Sequence, residues 1–278
     1  MSRKSSGLQK DVSSENPGRG FCRGLSSKLL IPYLVAGDPD LHTTARYLRL
    51  ASGQGIFAVE LGIPFSDPTA DGLVIQEASQ RALRHETALR EILDWLTGIP
   101  KEFLPPIYLM TYFNLFHHMG IESFCRQAKK SGRINGVVIP DLSFEDAADY
   151  RPVFRKYGIN LVGFVSPTTG LSRARKIVKE SRGFIYYVGL MGTTGSDLTL
   201  TENMRTMVQQ LRKWTDLPVC VGFGISKPEM AEEVLKFSDG VIVGSRLVSE
   251  ECSPEQWERS LSEFSSVVRG GSEKQVRL

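Results

Sequence analysis

Leu30-Ile31-Pro32-Tyr33-Leu34-Val35, followed by Ala36-Gly37-Asp38-Pro39-Asp40, decides the fold class. The first six residues form an apolar, β-prone run that stops at a Gly-Asp-Pro turn, the pattern of a buried strand. From there to the end, short apolar runs alternate with helix-length segments. Strands are predicted near Leu30–Val35, Phe57–Leu61, Ile107–Met110, Val137–Ile139, Leu161–Val165, Phe184–Val188, Val219–Val221 and Gly240–Val243. An open doubly wound sheet would carry G-x-G-x-x-G after its first strand, and the turn at Gly37 lacks it. The eight units therefore predict one α/β domain closed as a (β/α)8 TIM barrel.

Composition agrees with that reading. A chain of 278 residues suits a single barrel, and 41% apolar residues are enough to fill one. The formal charge is only +3, with no clustered basic stripe, so nucleic acid is not an expected partner. No run of about 18 apolar residues occurs, so neither a membrane span nor a membrane partner is expected. Cys22, Cys125, Cys220 and Cys252 are scattered, with no C-x-x-C pair and no His at ligand spacing. They read as reduced thiols of a cytoplasmic protein, with no disulfide frame and no metal site. Residues 1–24 are rich in Ser, Lys, Arg, Gly and Pro and read as a disordered or irregular leader; Asp11 and Glu15 argue against a transit peptide. The barrel domain is expected over 25–269 and a flexible tail over 270–278.

Barrels build their sites at the carboxyl ends of the strands. Those ends present Gly37-Asp38, Glu60, Tyr112 with Asn114, Asp141, Ser166 with Thr168, Tyr186, Gly222-Phe223-Gly224 and Gly244-Ser245. Glu60 closes an apolar strand, where a carboxylate is costly unless it is paired, protonated or at the mouth of a site. It opens onto a loop stiffened by Pro64 and Pro68 that carries Asp67 and Asp71. Carboxylates held together on a constrained loop suit acid–base chemistry. Alone, each would more simply be a cap or a turn former.

The other side of the ring of strand ends is glycine-rich. Gly192-Thr193-Thr194-Gly195, Gly222-Phe223-Gly224-Ile225-Ser226 and Gly244-Ser245 follow the sixth, seventh and eighth strands. Backbone N–H groups at such turns can approach an anion closely, and barrels commonly hold phosphate after strands 7 and 8. One end of an elongated substrate would react at the carboxylates while its phosphate sits at the glycines.

These residues resemble the tryptophan synthase alpha subunit family. The resemblance runs from about Leu30 to Leu247 and rests on Ile31-Pro32-Tyr33-Leu34-Val35-Ala36-Gly37-Asp38-Pro39 and on Val59-Glu60-Leu61-Gly62-Ile63-Pro64-Phe65-Ser66-Asp67-Pro68 through Asp71-Gly72. Met110-Thr111-Tyr112-Phe113-Asn114, Ile139-Pro140-Asp141-Leu142, Gly222-Phe223-Gly224-Ile225-Ser226 and Gly244-Ser245 match as well. It implies retro-aldol cleavage of indole-3-glycerol phosphate to indole and glyceraldehyde 3-phosphate. Glu60 would be the mobile acid–base group and Asp71 would hold the indole nitrogen. Tyr33, Met110, Tyr112, Pro140, Val165, Tyr186 and Phe223 would line the indole pocket; Thr194, Gly195, Gly224, Gly244 and Ser245 would serve the loop and the phosphate. It implies no metal and no cofactor in this chain, and an α2β2 complex with a beta subunit that carries PLP. The partner would be met by Pro64 to Pro68 and by Tyr112 to Met119, a segment unusually apolar for a loop, which would otherwise be a helix start packed on the barrel rim.

The chain departs from the family pattern after strand 6, where Ser-Arg-x-Gly-Val-Thr-Gly is usual and Gly189-Leu190-Met191-Gly192-Thr193-Thr194-Gly195 stands. The change touches the lid rather than the chemistry. It keeps in view a second reading, a catalytically weak subunit that mainly activates its partner. A third, a different phosphate-binding barrel such as an aldolase, lacks a lysine at any assigned strand end.

Overall fold

The computed structural model describes residues 28–54, 56–85, 87–189, 198–222, 224–249 and 253–275. Nine parallel strands form one sheet: β1 (Leu29–Val35), β2 (Val59–Gly62), β3 (Ile107–Met110), β4 (Ile134–Val138), β5 (Asn160–Leu161), β6 (Gly163–Val165), β7 (Ile185–Val188), β8 (Val219–Gly222) and β9 (Gly240–Val243). Their order is β5-β4-β3-β2-β1-β9-β8-β7-β6. The two ends of that order, β5 and β6, are consecutive pieces of one strand broken at Val162. Asn160 and Leu161 pair with β4, whereas Gly163 to Val165 pair with β7. The sheet thus closes on itself as the predicted eight-stranded barrel, with its fifth strand in two halves.

The helices are α1 (Leu41–Gly53), α2 (Leu73–Leu83), α3 (Leu89–Gly98), α4 (Phe113–Met119), α5 (Ile121–Ser131), α6 (Arg151–Tyr157), α7 (Leu171–Glu180), α8 (Leu198–Trp214), α9 (Pro228–Leu235), α10 (Ser245–Val248) and α11 (Pro254–Gln275). α11 runs across residue 270, where the sequence reading ended the barrel domain. The leader over 1–24 lies outside the described residues.

Period-two alternation divides each strand between two cores. On β1, Leu29 and Ile31 enter the barrel interior with Ala58, Tyr108, Val138, Val162, Phe184, Cys220 and Ile242, while Leu30 and Leu34 face the helices. At the top of the barrel, Tyr33 and Val35 meet Ala78 and Ala82 of α2 and Val248 of α10. Arg81 of α2 fixes that corner. It donates two hydrogen bonds of 2.8 Å to the Asp38 carboxylate and one of 3.1 Å to the Val248 carbonyl. Gly37 (φ 85°) makes the turn before Asp38; a Cβ there would stand 2.8 Å from Thr87 Oγ1.

The segment Tyr112 to Met119, read from sequence as a partner surface or as a helix start on the barrel rim, is mostly the helix α4. Phe116 is fully buried against Phe124 with ring centroids 4.5 Å apart, and Phe113 packs on Tyr150 at 5.0 Å. Phe116 and Phe113 thus pack on the barrel rim, while Leu115 and Met119 stay partly exposed.

The last helix completes the outer layer. Trp257 is fully buried and stacks on Tyr47 of α1 with centroids 4.5 Å apart. Trp257→Ala should therefore cost about 3–5 kcal/mol in chemical denaturation, as for other buried aromatic truncations. A loss under about 1 kcal/mol would mean α11 does not anchor α1.

Candidate active site

Glu60 is the second residue of β2, in register with Tyr33 on one side and Tyr108 on the other. Val59 and Leu61 face the helices, so alternation turns Glu60 into the barrel, above Ala58. The side chain is 1% exposed, and Oε1 has no hydrogen-bond partner among the described residues. Burial disfavours the carboxylate, and the neighbouring charge of Asp71 adds to this, so its pKa is pushed up to about 8.

Asp71 ends the loop that begins at Ile63. Its Oδ2 accepts a 2.9 Å hydrogen bond from Tyr112 Oη, and the same hydroxyl accepts from Ala70 N at 2.9 Å. Phe65 stacks on the Tyr112 ring, and Gln76 Nε2 donates to the Asp71 carbonyl at 2.8 Å. One tyrosine thus ties the loop at both ends. Burial raises the Asp71 pKa, and the Tyr112 hydrogen bond works against that rise. Asp67 is exposed and accepts from Ser66 Oγ at 2.7 Å, the behaviour of a turn former.

Tyr33 and Tyr186 stand beside these carboxylates. Burial first, and then the charges of Glu60 and Asp71, push both phenols well above their ordinary pKa. Two strand-end glycines make room for them. A Cβ on Gly62 would overlap Tyr33 Oη, and one on Gly222 would lie 2.6 Å from Tyr186 Oη. Met110 packs with both the barrel interior and the Tyr33 cluster.

Strand parity corrects one expected wall residue. Val165 belongs to the outer core, whereas Phe164 points inward and stacks on Tyr186 at 5.1 Å. Both residues are apolar, so the sequence carries no signal that separates them. Pro140 lines a separate side cavity.

At the opposite rim, Gly224 takes φ 78° and is exposed, and Gly244 precedes exposed Ser245 at the start of α10. A Cβ on Gly244 would lie 3.7 Å from Tyr33 Cβ, so this rim adjoins the carboxylate pocket. Thr194, Gly195 and Phe223 lie outside the described residues. Gly189 is described. Its N–H donates to the Gly222 carbonyl at 3.0 Å, and a Cβ there would stand 2.7 Å from Met204 Cε.

A family model for the tryptophan synthase alpha chain matches residues 22–275. The chain belongs to that family. It is similar to the tryptophan synthase alpha chain of Rippkaea orientalis, 42% identical over 238 residues covering 84% of this chain and 89% of the relative. The alpha chain of Arabidopsis thaliana is 41% identical over 244 residues, covering 86% and 88%. In solved structures, the tryptophan synthase alpha subunit of Legionella pneumophila superposes with a TM-score of 0.77 at 33% identity, covering 87% of this chain and 93% of that one. An alpha chain of tryptophan synthase is a lyase of tryptophan biosynthesis that cleaves indole-3-glycerol phosphate, and this chain is such a lyase. Among the described residues, no group of three or more His, Cys, Asp or Glu side chains could hold a metal ion, and no helix is long and apolar enough to cross a membrane.

A buried acid raised to about 8 has a thermodynamic signature. In the unfolded chain Glu60 titrates near its ordinary 4.5, so between about pH 5 and 8 the folded state holds a proton that the unfolded state has lost. This contribution to stability is complete below the unfolded pKa and is lost as pH rises through the folded one. Glu60→Gln should flatten that fall and leave the variant a few kcal/mol more stable than the parent at pH 9. Parallel stability curves for the two proteins from pH 5 to 9 would show that Glu60 titrates normally.

Proposed function

We propose that Glu60 carries the proton transfers of indole-3-glycerol phosphate cleavage and that Asp71 holds the indole nitrogen. The observation that supports this is the buried, unpartnered Glu60 Oε1 beside a Tyr112-anchored Asp71. With its pKa near 8, Glu60 is protonated at neutral pH and begins as an acid. It gives its proton to indole C3, and the ring nitrogen becomes positive. The Asp71 carboxylate accepts a hydrogen bond from that N–H and offsets the charge in a low-dielectric pocket. Glu60, now a carboxylate, takes the proton of the glycerol hydroxyl next to C3. The O–H electrons form the aldehyde C=O, the carbon–carbon bond breaks, and its electrons return to the ring to neutralise the nitrogen. Indole and glyceraldehyde 3-phosphate leave, and Glu60 is protonated again.

Tyr33, Met110, Tyr112, Tyr186 and Phe223 would enclose the ring, an apolar and aromatic lining suited to a flat heteroaromatic ligand. Gly224, Gly244 and Ser245 would receive the phosphate, and Thr194 with Gly195 would close over it. The partner in this reading is a PLP-carrying beta subunit in an α2β2 complex, which joins the released indole to serine. Leu73, 71% exposed at the start of α2 and next to the catalytic loop, is an apolar side chain such a partner would cover. A second reading, a weak lyase that mainly activates its partner, draws on Gly189, because Met204 occupies the space of a larger side chain at the base of the lid.

Indole release should fall at least about a hundredfold in Glu60→Gln, with substrate and partner binding largely intact. Near-normal turnover would remove Glu60 from the reaction. Asp71→Asn should lose about 10²–10³ in rate, and an unchanged rate would take Asp71 out of the site. Since the acid form of Glu60 starts the reaction, kcat/KM in the parent should fall tenfold per pH unit above about 8. A flat profile to pH 10 would rule out this proton route. Indole release that rises on adding the beta chain supports the lyase reading; no release, with the beta reaction still stimulated, supports the activator.

A further inference from the structure

α10 is a single helical turn, Ser245–Val248, and one turn has no stability of its own. Its place is set by what holds it. Leu247 and Val248 are buried, and Val248 packs with Tyr33, Val35, Ala78 and Ala82. So short a helix leaves its last carbonyls without partners inside it. The Val248 carbonyl finds one outside, because Arg81 Nη2 donates to it at 3.1 Å.

The same guanidinium is gripped from the other side. Nε and Nη2 each donate to one oxygen of Asp38 at 2.8 Å, a fork that fixes the plane of the group as well as its place. The Arg81 side chain is 19% exposed and that of Asp38 9%, so water competes weakly for the pair. Arg81 thus joins the turn after β1 and the helix α2 to α10. α2 in turn reaches both ends of the site. It starts just after Asp71-Gly72, and its Gln76 donates to the Asp71 carbonyl. Its Ile75 meets the opposite rim: a Cβ on Gly244 would stand 3.5 Å from Ile75 Cδ1.

We infer that Arg81 is a positioning residue for the lyase reaction. By holding α10 against α2 and β1 it fixes how far the Gly244-Ser245 rim stands from the carboxylates, so that one substrate reaches both. The inference rests on the reading above that the phosphate sits at that rim. A shift of about 1 Å at one end of a substrate held at both can cost about a hundredfold in rate. Lysine at this position keeps the charge and loses the two-oxygen grip on Asp38. A cavity bordered by Asp38, Tyr47, Arg81 and Val248 lies beside the fork, so that change removes hydrogen bonds more than packing.

The test compares two substrates in the full chain, indole-3-glycerol phosphate and indole-3-glycerol, which lacks the phosphate. In Arg81→Lys, kcat/KM for the phosphorylated substrate should fall at least about tenfold, while that for indole-3-glycerol stays within about twofold of the parent. Asp38→Asn, which keeps the shape of the pair and removes its charge, should show the same selective loss. Parental cleavage of indole-3-glycerol shows that each variant is folded. Calorimetric affinity for glycerol 3-phosphate should weaken about tenfold in both variants, a readout that needs no turnover. Equal losses on the two substrates would reduce Arg81 to a structural staple, and no loss on either would remove it from the reaction. Ser245→Asp, which sets a carboxylate at the rim, separates the inference from the reading beneath it. If that variant also spares the phosphorylated substrate, the phosphate reading falls and the inference with it. If it alone loses that substrate, only the role of Arg81 falls.

Discussion

Burying one carboxyl group inside a ring of parallel strands is the constraint on which the rest of this site depends. Glu60 occupies an inward position of β2 that an apolar residue would fill at no cost, and its Oε1 finds no donor among the described residues. The protein resolves this through protonation, which removes the charge, and the same protonation makes an acid available at neutral pH. Asp71 stands in the same pocket under different terms. A phenol donates to it, and that hydrogen bond works against the rise that burial causes. Two carboxyl groups that feel each other's charge are thereby held in different surroundings within one pocket.

The tyrosines extend the argument from charge to shape. Tyr33 lies across Gly62 and Tyr186 across Gly222, so these strand-end glycines are the spaces into which the rings fit. Tyr112 serves differently, spanning from β3 to the loop through Ala70 and Asp71. The pocket's aromatic wall and the aim of its acid thus share side chains, and changing one disturbs the other.

Much of this was legible in the sequence where one residue dictates one thing. The Gly-Asp-Pro turn excluded the dinucleotide-binding alternative, and Glu60 at the end of an apolar run marked a carboxyl group that the barrel buries. Tertiary choices were not legible. Val165 and Phe164 are adjacent apolar residues, and only the pairing of β6 with β7 settles which one faces inward. The split at Val162 depends on which neighbour each half of the strand finds, and no residue there signals it. α4 was open to two readings, a partner surface or a helix start on the barrel rim, and the packing of Phe113 and Phe116 shows the helix on the rim.

The pairing of β1 with β9 joins segments more than two hundred residues apart, and α11 then lies over both β1 and α1. While the chain is being made, β1 emerges early with one edge unpaired, and its partner on that edge leaves the ribosome only near the end of synthesis. For most of that time the growing chain offers an open parallel sheet whose edge invites pairing with other chains. Producing this protein in quantity is therefore a problem of shielding an unfinished edge, through a chaperone that holds β1 until β9 arrives.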